Sequence, residues 1–342
     1  MQPPLDAWSW SHPVEAVPAA GGLINQTWWV RGPQGPVAVV QRLNTAIFVP
    51  EVHHDIEAVT AHLQRKGLAT PRLLPTRDDA LWVDDDAGVF RALTLVGDRT
   101  VDALDDPADA YAAAALVARV HRALADLDHR FHSVRPGVHD TEAHAATLRA
   151  ALVAHRGHRL IDEVAPVAEE LLTRWAQWEG PRELPTRIIH GDLKISNVRF
   201  TGSDAVALID LDTWQHGALD AELGDAMRSW CNRSGEDVTE AEVDVPIFTA
   251  AMSGYASEAG SQLTEEEWSG MAPGLERIAL ELAIRFASDA LGEAYFGYDP
   301  AIGRGEHNLL RARGQLALAR AARRARPQLE AAVSAARTGA TR

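Results

Sequence analysis

A two-stranded ribbon flanked by carboxylates is predicted in the second half of the chain. Apolar residues lead into His190-Gly191-Asp192, and Asn197 follows five residues after the aspartate. The sequence Thr201-Gly202-Ser203-Asp204 then separates Val198 from a second apolar run, which ends at Asp210. Glycine and short polar residues between two apolar runs are typical of a tight turn. The pattern therefore predicts a loop followed by strand, turn and strand, with Asp192, Asn197 and Asp210 brought to one side.

This polar set suits phosphoryl transfer from a nucleotide. Such a reaction needs a carboxylate that orients an attacking hydroxyl and accepts its proton, and Asp192 can supply it. It also needs oxygen ligands that hold Mg²⁺ against the phosphates, which Asn197 and Asp210 offer as an amide oxygen and a carboxylate. Each residue alone would be an ordinary turn, strand-start or strand-end residue. Their joint spacing favours catalysis.

The same stretch resembles the catalytic core of the aminoglycoside phosphotransferase and choline kinase group, whose members have a protein kinase-like fold. The pattern of that group, H-G-D-x-x-x-x-N followed by I-D-[WFL]-[DE], matches residues 190–197 and 209–212. The resemblance implies an α+β, bilobal fold, with a small antiparallel-sheet lobe over residues 1–97 and a larger helical lobe over residues 98–342. It also implies ATP as co-substrate and Mg²⁺ as cofactor, although ATP is not distinguished from GTP.

A glycine-containing bend precedes the first predicted strand, Trp28–Val30. In a kinase N-lobe such a bend lies over the nucleotide phosphates, because glycine lets backbone N–H groups approach them. The resemblance therefore implies nucleotide contacts at Gly22, Asn25 and Thr27. A bend in an ordinary hairpin is the structural alternative.

The lysine that kinases use to pair with phosphates is missing from its usual place. The second predicted strand, Val37–Val40, is followed by Gln41 and Arg42 instead. Neighbouring residues of a strand face opposite sides, so only one of the two side chains can face the phosphates. The sequence does not decide between a neutral hydrogen bond from Gln41 and an ion pair from Arg42.

Three more nucleotide contacts are implied by the kinase-like fold. Residues 50–66 carry apolar side chains at helical spacing and place Glu57 where a kinase has its helix glutamate, with a solvated surface glutamate as the alternative. A hairpin over residues 71–96 follows, and its end would bring Leu95 and Gly97 to the edge of the adenine.

Further helices are predicted over residues 106–127, 141–154, 160–178, 246–257, 265–291 and 307–336.

Within this group the chain resembles the N-acetylhexosamine 1-kinases most closely. The motifs are Gly-Leu-Ile-Asn-Gln-Thr at 22–27, Gln-Arg-Leu-Asn-Thr-Ala-Ile-Phe at 41–48, Ile-Asp-Leu-Asp-Thr at 209–213 and Ile-Arg-Phe-Ala-Ser-Asp-Ala-Leu at 284–291. That branch also has glutamine in place of the strand lysine. The implied acceptor is the anomeric hydroxyl of a hexose or an N-acetylhexosamine.

This closer resemblance also implies roles for residues outside the central stretch. Asp212 would be a second contact to the metal, and His190 and Asp192 would contact the acceptor. Arg285 and Asp289 lie one helical turn apart and would face the sugar, with an intrahelical salt bridge as the alternative.

Composition narrows the partners and the compartment. The formal net charge of −15 argues against nucleic acid as a partner. The longest apolar runs are too short to span a membrane, and the N-terminus has no signal-peptide pattern. The single cysteine, Cys231, fits a reducing compartment, so we expect a cytoplasmic protein whose partners are ATP and a small-molecule acceptor.

Two other functions fit the same sequence. An aminoglycoside or amino-alcohol kinase would use acidic residues such as Asp220, Glu222 and Glu293 to attract a cationic acceptor. A pseudokinase would bind nucleotide without turnover, and the missing lysine is its main support.

Overall fold

The computed structural model describes residues 2–19, 24–235 and 237–340. The chain forms two compact units. The first combines Met1–Thr100 with two later segments, Val120–Arg135 and Asn197–Gln215. The second contains the rest, Val101–Arg119, Pro136–Ser196 and His216–Arg342. Each unit is thus built from segments that are distant in sequence, so a single boundary after Gly97 does not describe the division of the chain.

Helices and short strands make up most of the described chain. The strands are β1 (Glu15–Pro18), β2 (Gln26–Gly32), β3 (Gly35–Arg42), β4 (Leu73–Leu74), β5 (Val83–Asp85), β6 (Gly88–Thr94), β7 (Thr186–Ile189), β8 (Val198–Thr201), β9 (Asp204–Leu208) and β10 (Gln215–Ala218). The α-helices are α1 (Val52–Arg65), α2 (Pro107–Leu124), α3 (Thr141–Ala154), α4 (Ile161–Ala176), α5 (Leu219–Trp230), α6 (Val245–Ala259), α7 (Glu265–Gly292) and α8 (Arg304–Ala340). The predicted mixed α+β class, with its N-terminal sheet and C-terminal helices, is confirmed.

An antiparallel sheet forms the centre of the first unit. Its strand order is β1-β2-β3-β6-β4, and β5 pairs with β6. The inner face is apolar, with Trp8, Val30, Val40 and Phe90 all nearly inaccessible to solvent. The predicted β2–β3 and β5–β6 hairpins are confirmed. Strand β1 was not predicted, because this edge strand has only four residues and its pattern is too short to read.

Asp55 ties α1 to the segment that follows α2. Its carboxylate accepts hydrogen bonds from the backbone N–H of Ser133 at 2.9 Å and of His132 at 3.0 Å. Ring nitrogens of His129 and His132 lie 2.8 and 2.9 Å from Oδ1. Burial alone would raise the pKa of Asp55, but these bonds hold it below its usual value. The carboxylate is therefore ionised in the folded protein at neutral pH.

Asp55→Asn is expected to lower the free energy of unfolding at pH 7 by about 1–3 kcal/mol, because the amide cannot replace a fully accepting carboxylate. A depressed carboxyl pKa stabilises the fold above its unfolded-state value, and that stability is lost as the pH falls through the folded-state value. Urea unfolding should therefore show the gap between wild type and Asp55→Asn shrinking as the pH is lowered from about 6 to about 3. Asp78→Asn, at an exposed site, is the control. A gap that does not change with pH would contradict the role of the charge.

Helices dominate the second unit, and all the helices predicted for it are confirmed. The 28-residue α7 is its central element and packs against α3, α4, α5 and α8. Helix α5 approaches α7 closely: a Cβ on Gly224 would lie 2.5 Å from the carbonyl oxygen of Gly274, and one on Gly274 would lie 2.4 Å from that of Asp220. This crossing positions α5, which carries residues of the candidate site. Among the described residues, no helix has the length and apolarity needed to cross a membrane.

Candidate active site

The loop that carries Asp192 is held by a carboxylate on α5. Strand β7 ends at the buried Ile189, and His190 and Gly191 follow, the latter with φ of 79°. Glu222 accepts hydrogen bonds from the backbone N–H of His190 at 2.8 Å and of Gly191 at 2.9 Å. Glu222 is only 1% exposed, so it shapes the loop and does not act as a surface acid. Sequence reasoning had considered this residue only as an attractor of cations.

Asp192 is accessible and lies beside a lysine. Its side chain is 27% exposed, and its Oδ2 accepts a hydrogen bond from Lys194 Nζ at 2.9 Å. The backbone N–H of Asp192 lies 3.3 Å from Nδ1 of the fully buried His190, and Trp230 Nε1 donates to Leu193 O at 2.7 Å. Sequence reasoning missed Lys194, although its position two residues after the proposed base was a visible signal.

Asp225 on α5 adds a second carboxylate near Asp192. Burial raises the pKa of Asp225, the negative charge of Asp192 raises it further, and Arg228 opposes the shift. Arg228 lies 3.0 Å from Asp225. The charges of both Lys194 and Asp225 therefore act on the Asp192 carboxylate.

In the first unit, the β8–β9 hairpin places the proposed metal ligands at its open end. Val198 pairs with Leu208, and the N–H of Ile209 donates to the carbonyl oxygen of Asn197 at 2.9 Å. Asn197 therefore lies opposite Ile209, the residue that precedes Asp210. Asp210 has φ of 64° and ψ of 61°, a left-handed conformation that aspartate and asparagine tolerate better than most residues.

Asp212 is more deeply buried than Asp192 and Asp210, the other two carboxylates of the predicted site. Its two oxygens receive the guanidinium of Arg91, and its Oδ2 also accepts a hydrogen bond from Asn25 Nδ2 at 2.7 Å. Burial would raise the pKa of Asp212, but the Arg91 charge lowers it below the usual value. The sequence analysis did not single out Arg91, which is 1% exposed.

Gln41, not Arg42, shares a face with Asp212. Gln41 Oε1 accepts hydrogen bonds from Arg91 at 3.0 and 2.8 Å, and Gln41 Nε2 donates to Thr27 Oγ1 at 3.3 Å. The guanidinium of Arg42 lies on the opposite face, where a Cβ on Gly88 would be 2.6 Å from its Nε. The alternation expected from the strand is thus observed.

The other predicted nucleotide contacts occupy several places in the first unit. Glu57 accepts a hydrogen bond from Arg72 at 2.6 Å. Gly97 has φ of 61° and packs against Phe200 and Arg199, whose guanidinium donates to the carbonyl oxygens of Val96 and Gly97. Leu95 is half-buried beside this turn. Gly22 lies outside the described residues.

Arg285 and Asp289 do not form the intrahelical pair considered as an alternative. Asp289 accepts backbone hydrogen bonds from Ala294, Tyr295 and Phe296 and a side-chain bond from Asn308, all at 2.8–2.9 Å. It therefore anchors the turn after α7. The guanidinium of Arg285 lies 5.9 and 5.4 Å from the ring centroids of Tyr295 and Phe296.

The donor set at the end of the β8–β9 hairpin suits a hard divalent cation. An amide oxygen and a carboxylate, from Asn197 and Asp210, are the ligand types that Mg²⁺ prefers, and few protein ligands suffice because the ion keeps several waters. Asn197 is 4% exposed, so its side chain is held in place. The residues present therefore fit a magnesium site.

Comparison with known proteins gives one family and a set of related folds. The model of the phosphotransferase enzyme family, APH, matches residues 15–257. An aminoglycoside phosphotransferase from Alicyclobacillus acidocaldarius has a similar structure, with a TM-score of 0.60 and 17% identity over 98% of this chain and 95% of that one. A choline kinase from Cryptosporidium parvum has a TM-score of 0.57 and 13% identity over 94% and 93%.

A third related structure contains ligands. It is amicoumacin kinase hAmiN in complex with AMP-PNP, Ca²⁺ and Ami, with a TM-score of 0.58 and 11% identity over 90% of this chain and 88% of that one. At these identities the structural likeness establishes a shared fold. The protein kinase-like architecture inferred from the sequence motifs is thereby confirmed.

Proposed function

This chain belongs to the APH phosphotransferase enzyme family, and on that basis we propose that it transfers the γ-phosphoryl group of ATP to a hydroxyl of a sugar. The proposed acceptor is the anomeric hydroxyl of a hexose or an N-acetylhexosamine. Membership of the family makes the protein a small-molecule phosphotransferase. The sugar, the nucleotide and Mg²⁺ are parts of the proposal.

One observation carries the proposal: the pairing of β8 with β9 puts Asn197 opposite Ile209, the residue before Asp210. Asn197 itself lies five residues after Asp192 along the chain. The same three residue types serve phosphoryl transfer in protein kinases, as catalytic base and metal ligands. An ordinary surface hairpin does not require an amide and a carboxylate at its open end. It also does not require that the preceding loop be fixed by a buried carboxylate, as Glu222 fixes the loop of Asp192.

Asp192 would orient the acceptor hydroxyl and accept its proton. Its partner Lys194, 2.9 Å away, would hold the carboxylate in one orientation. Glu222 would keep the loop rigid through its two bonds to His190 and Gly191. Much of the catalytic effect in such reactions comes from positioning of the reacting groups.

Asn197 and Asp210 would hold Mg²⁺. The second contact expected from Asp212 stays a prediction, since both of its oxygens already accept hydrogen bonds from Arg91. The bound cation would neutralise charge on the nucleotide phosphates and on the leaving oxygen. Asn25, Thr27, Gln41, Leu95 and Gly97 are proposed to contact the nucleotide. Glu57 remains a prediction of the kinase pattern, whereas Arg42 lies on the opposite face of β3 from Gln41.

The choice of a sugar rests on the motifs shared with the N-acetylhexosamine 1-kinases. Arg285, with His190 and Asp289, is the proposed contact to the sugar. The π-faces of Tyr295 and Phe296 beside Arg285 keep its guanidinium in place. Since Asp289 already accepts four hydrogen bonds, its contribution would be to shape the turn that carries these rings.

A cationic acceptor is the second candidate, and the aminoglycoside and choline kinases of similar fold favour it. The acids that were expected to attract such an acceptor are engaged elsewhere, which weakens it. Asp220 pairs with Arg277 at 2.5 Å, Glu222 holds the loop, and Glu293 is bonded to His158 and Arg159.

The test is ADP release from Mg·ATP in the presence of a panel of acceptors. The panel contains N-acetylglucosamine, N-acetylgalactosamine, glucosamine, glucose, galactose, choline and kanamycin, and each is assayed with wild type and with Asp192→Asn. Turnover on a neutral sugar that disappears in the variant supports the proposal. Turnover only on choline or kanamycin assigns the chain to the cationic-acceptor branch. ATP binding without turnover on a widened panel supports the pseudokinase.

A further inference from the structure

We propose that Arg91 on β6 is the positioning cation of the nucleotide site: it holds Asp212, and through Asp212 it fixes the left-handed Asp210 for metal–nucleotide binding. This inference rests on the proposed function. It assigns to a neighbouring strand the positive charge that kinases place on β3.

The strand register puts Arg91 beside the position of the missing lysine. Gln41 on β3 pairs directly with Arg91 on β6 and, on its other side, with Thr27 on β2. Directly opposed residues project from the same face of a sheet, so the three side chains form one row. The cation has moved by one strand, a distance of about 5 Å.

Gln41 and Asp212 both accept pairs of hydrogen bonds from the Arg91 guanidinium. Nε and Nη2 of Arg91 donate to Gln41 Oε1, at 3.0 and 2.8 Å. Nη1 and Nη2 donate to the two oxygens of Asp212, a bidentate geometry that lysine cannot reproduce. Gln41 therefore serves as the acceptor for Arg91, and a lysine in its place would put two cations side by side.

Asp212, the anionic partner of Arg91, also accepts a hydrogen bond from a second residue. Asn25 donates to Asp212 Oδ2 at 2.7 Å and accepts the backbone N–H of Asn44 at 2.9 Å. Asp212 has no exposed side-chain surface and Arg91 has 1%. A buried carboxylate that lost its guanidinium would have to take up a proton or move.

Movement of Asp212 would be transmitted to the metal ligand. Asp210 is two residues away, with the buried Leu211 between them, and its left-handed backbone leaves few alternative conformations. The charge of Asp210 also acts on Arg91 directly, as does that of Asp212, and His53 is the nearby titratable group on α1. The guanidinium thus controls both the geometry and the net charge of the segment.

The experiment measures binding of AMP-PNP by calorimetry at a series of Mg²⁺ concentrations and also without metal, well below the melting temperature of each variant. Arg91→Lys keeps the charge and removes the fork. It should raise the Mg²⁺ concentration for half-maximal binding at least about tenfold, as loss of an outer-shell partner does at metal sites. Metal-free binding of AMP-PNP should stay unchanged. Arg77→Lys, another arginine of the first unit that donates to a backbone oxygen, is the matched control.

Gln41→Lys separates two explanations of the missing lysine, because they predict opposite changes in nucleotide binding. If Gln41 were merely a lost lysine, this variant would strengthen nucleotide binding; here it should weaken binding, because the ammonium would face Arg91. Stronger binding by Gln41→Lys, or wild-type metal dependence in folded Arg91→Lys, would overturn the inference. An equal loss of metal-free binding would also overturn it, since Arg91 would then act on the nucleotide itself. Wild-type protein that binds no nucleotide would instead refute the proposed function.

Discussion

Asp192→Asn is expected to reduce turnover by about 10²- to 10⁴-fold, the usual contribution of a general acid or base. The amide has nearly the shape of the carboxylate, but it cannot accept the hydroxyl proton or pair with Lys194. Nucleotide binding should remain close to that of wild type, because Asp192 is assigned to the acceptor. The measurement is steady-state ADP release on the acceptor found in the panel, together with calorimetric titration of AMP-PNP.

Asp162→Asn is a suitable control for this change, since Asp162 is exposed in the first turn of α4. Near wild-type turnover in Asp192→Asn would remove Asp192 from the role of base. The melting temperature of Asp192→Asn shows whether a loss of turnover comes from unfolding or from the missing carboxylate.

Asp210→Asn is expected to raise the Mg²⁺ concentration needed for half-maximal turnover at least about tenfold, a lower bound taken from the cost of losing outer-shell partners. Asparagine also tolerates the left-handed conformation observed at this position, so the backbone should be retained and the effect should report the lost charge. The measurement is the rate of ADP release as a function of Mg²⁺ concentration at saturating ATP.

Asp204→Asn, at the exposed first residue of β9, tests whether any charge on this hairpin would have the same effect. Unchanged metal dependence in Asp210→Asn would exclude Asp210 as a ligand. The Asp192 and Asp210 variants should also differ from one another: Asp192→Asn lowers the maximal rate, whereas added Mg²⁺ should partly rescue Asp210→Asn.

The β8–β9 hairpin was predictable because its signals are local. A turn sequence between two apolar runs is sufficient to define β8 and β9, whereas the register shift between Arg199 and Phe200 was not predictable from the turn. The helices were predictable for the same reason, since their apolar spacing extends over many residues. Strand β1 was missed because four residues at a sheet edge carry almost no pattern.

The roles of individual polar residues were harder to predict. Glu222 was considered as a surface acid, yet it is buried and accepts two loop N–H groups. Asp289 was expected beside a sugar, and it accepts three backbone N–H groups in the turn after α7. In both cases the partner is backbone, which has no signature in the sequence.

The sequence by itself determined the family, the mixed α+β class and the local motif of Asp192, Asn197 and Asp210. Those features depend on spacing within about twenty-five residues, which a chain encodes directly. The tertiary structure alone decided that Gln41 and not Arg42 faces Asp212, and that Arg91 completes the pair. Arg91 and Asp212 are separated by 121 residues, and only the register of β3 with β6 and the fold of the first unit bring their charges into contact.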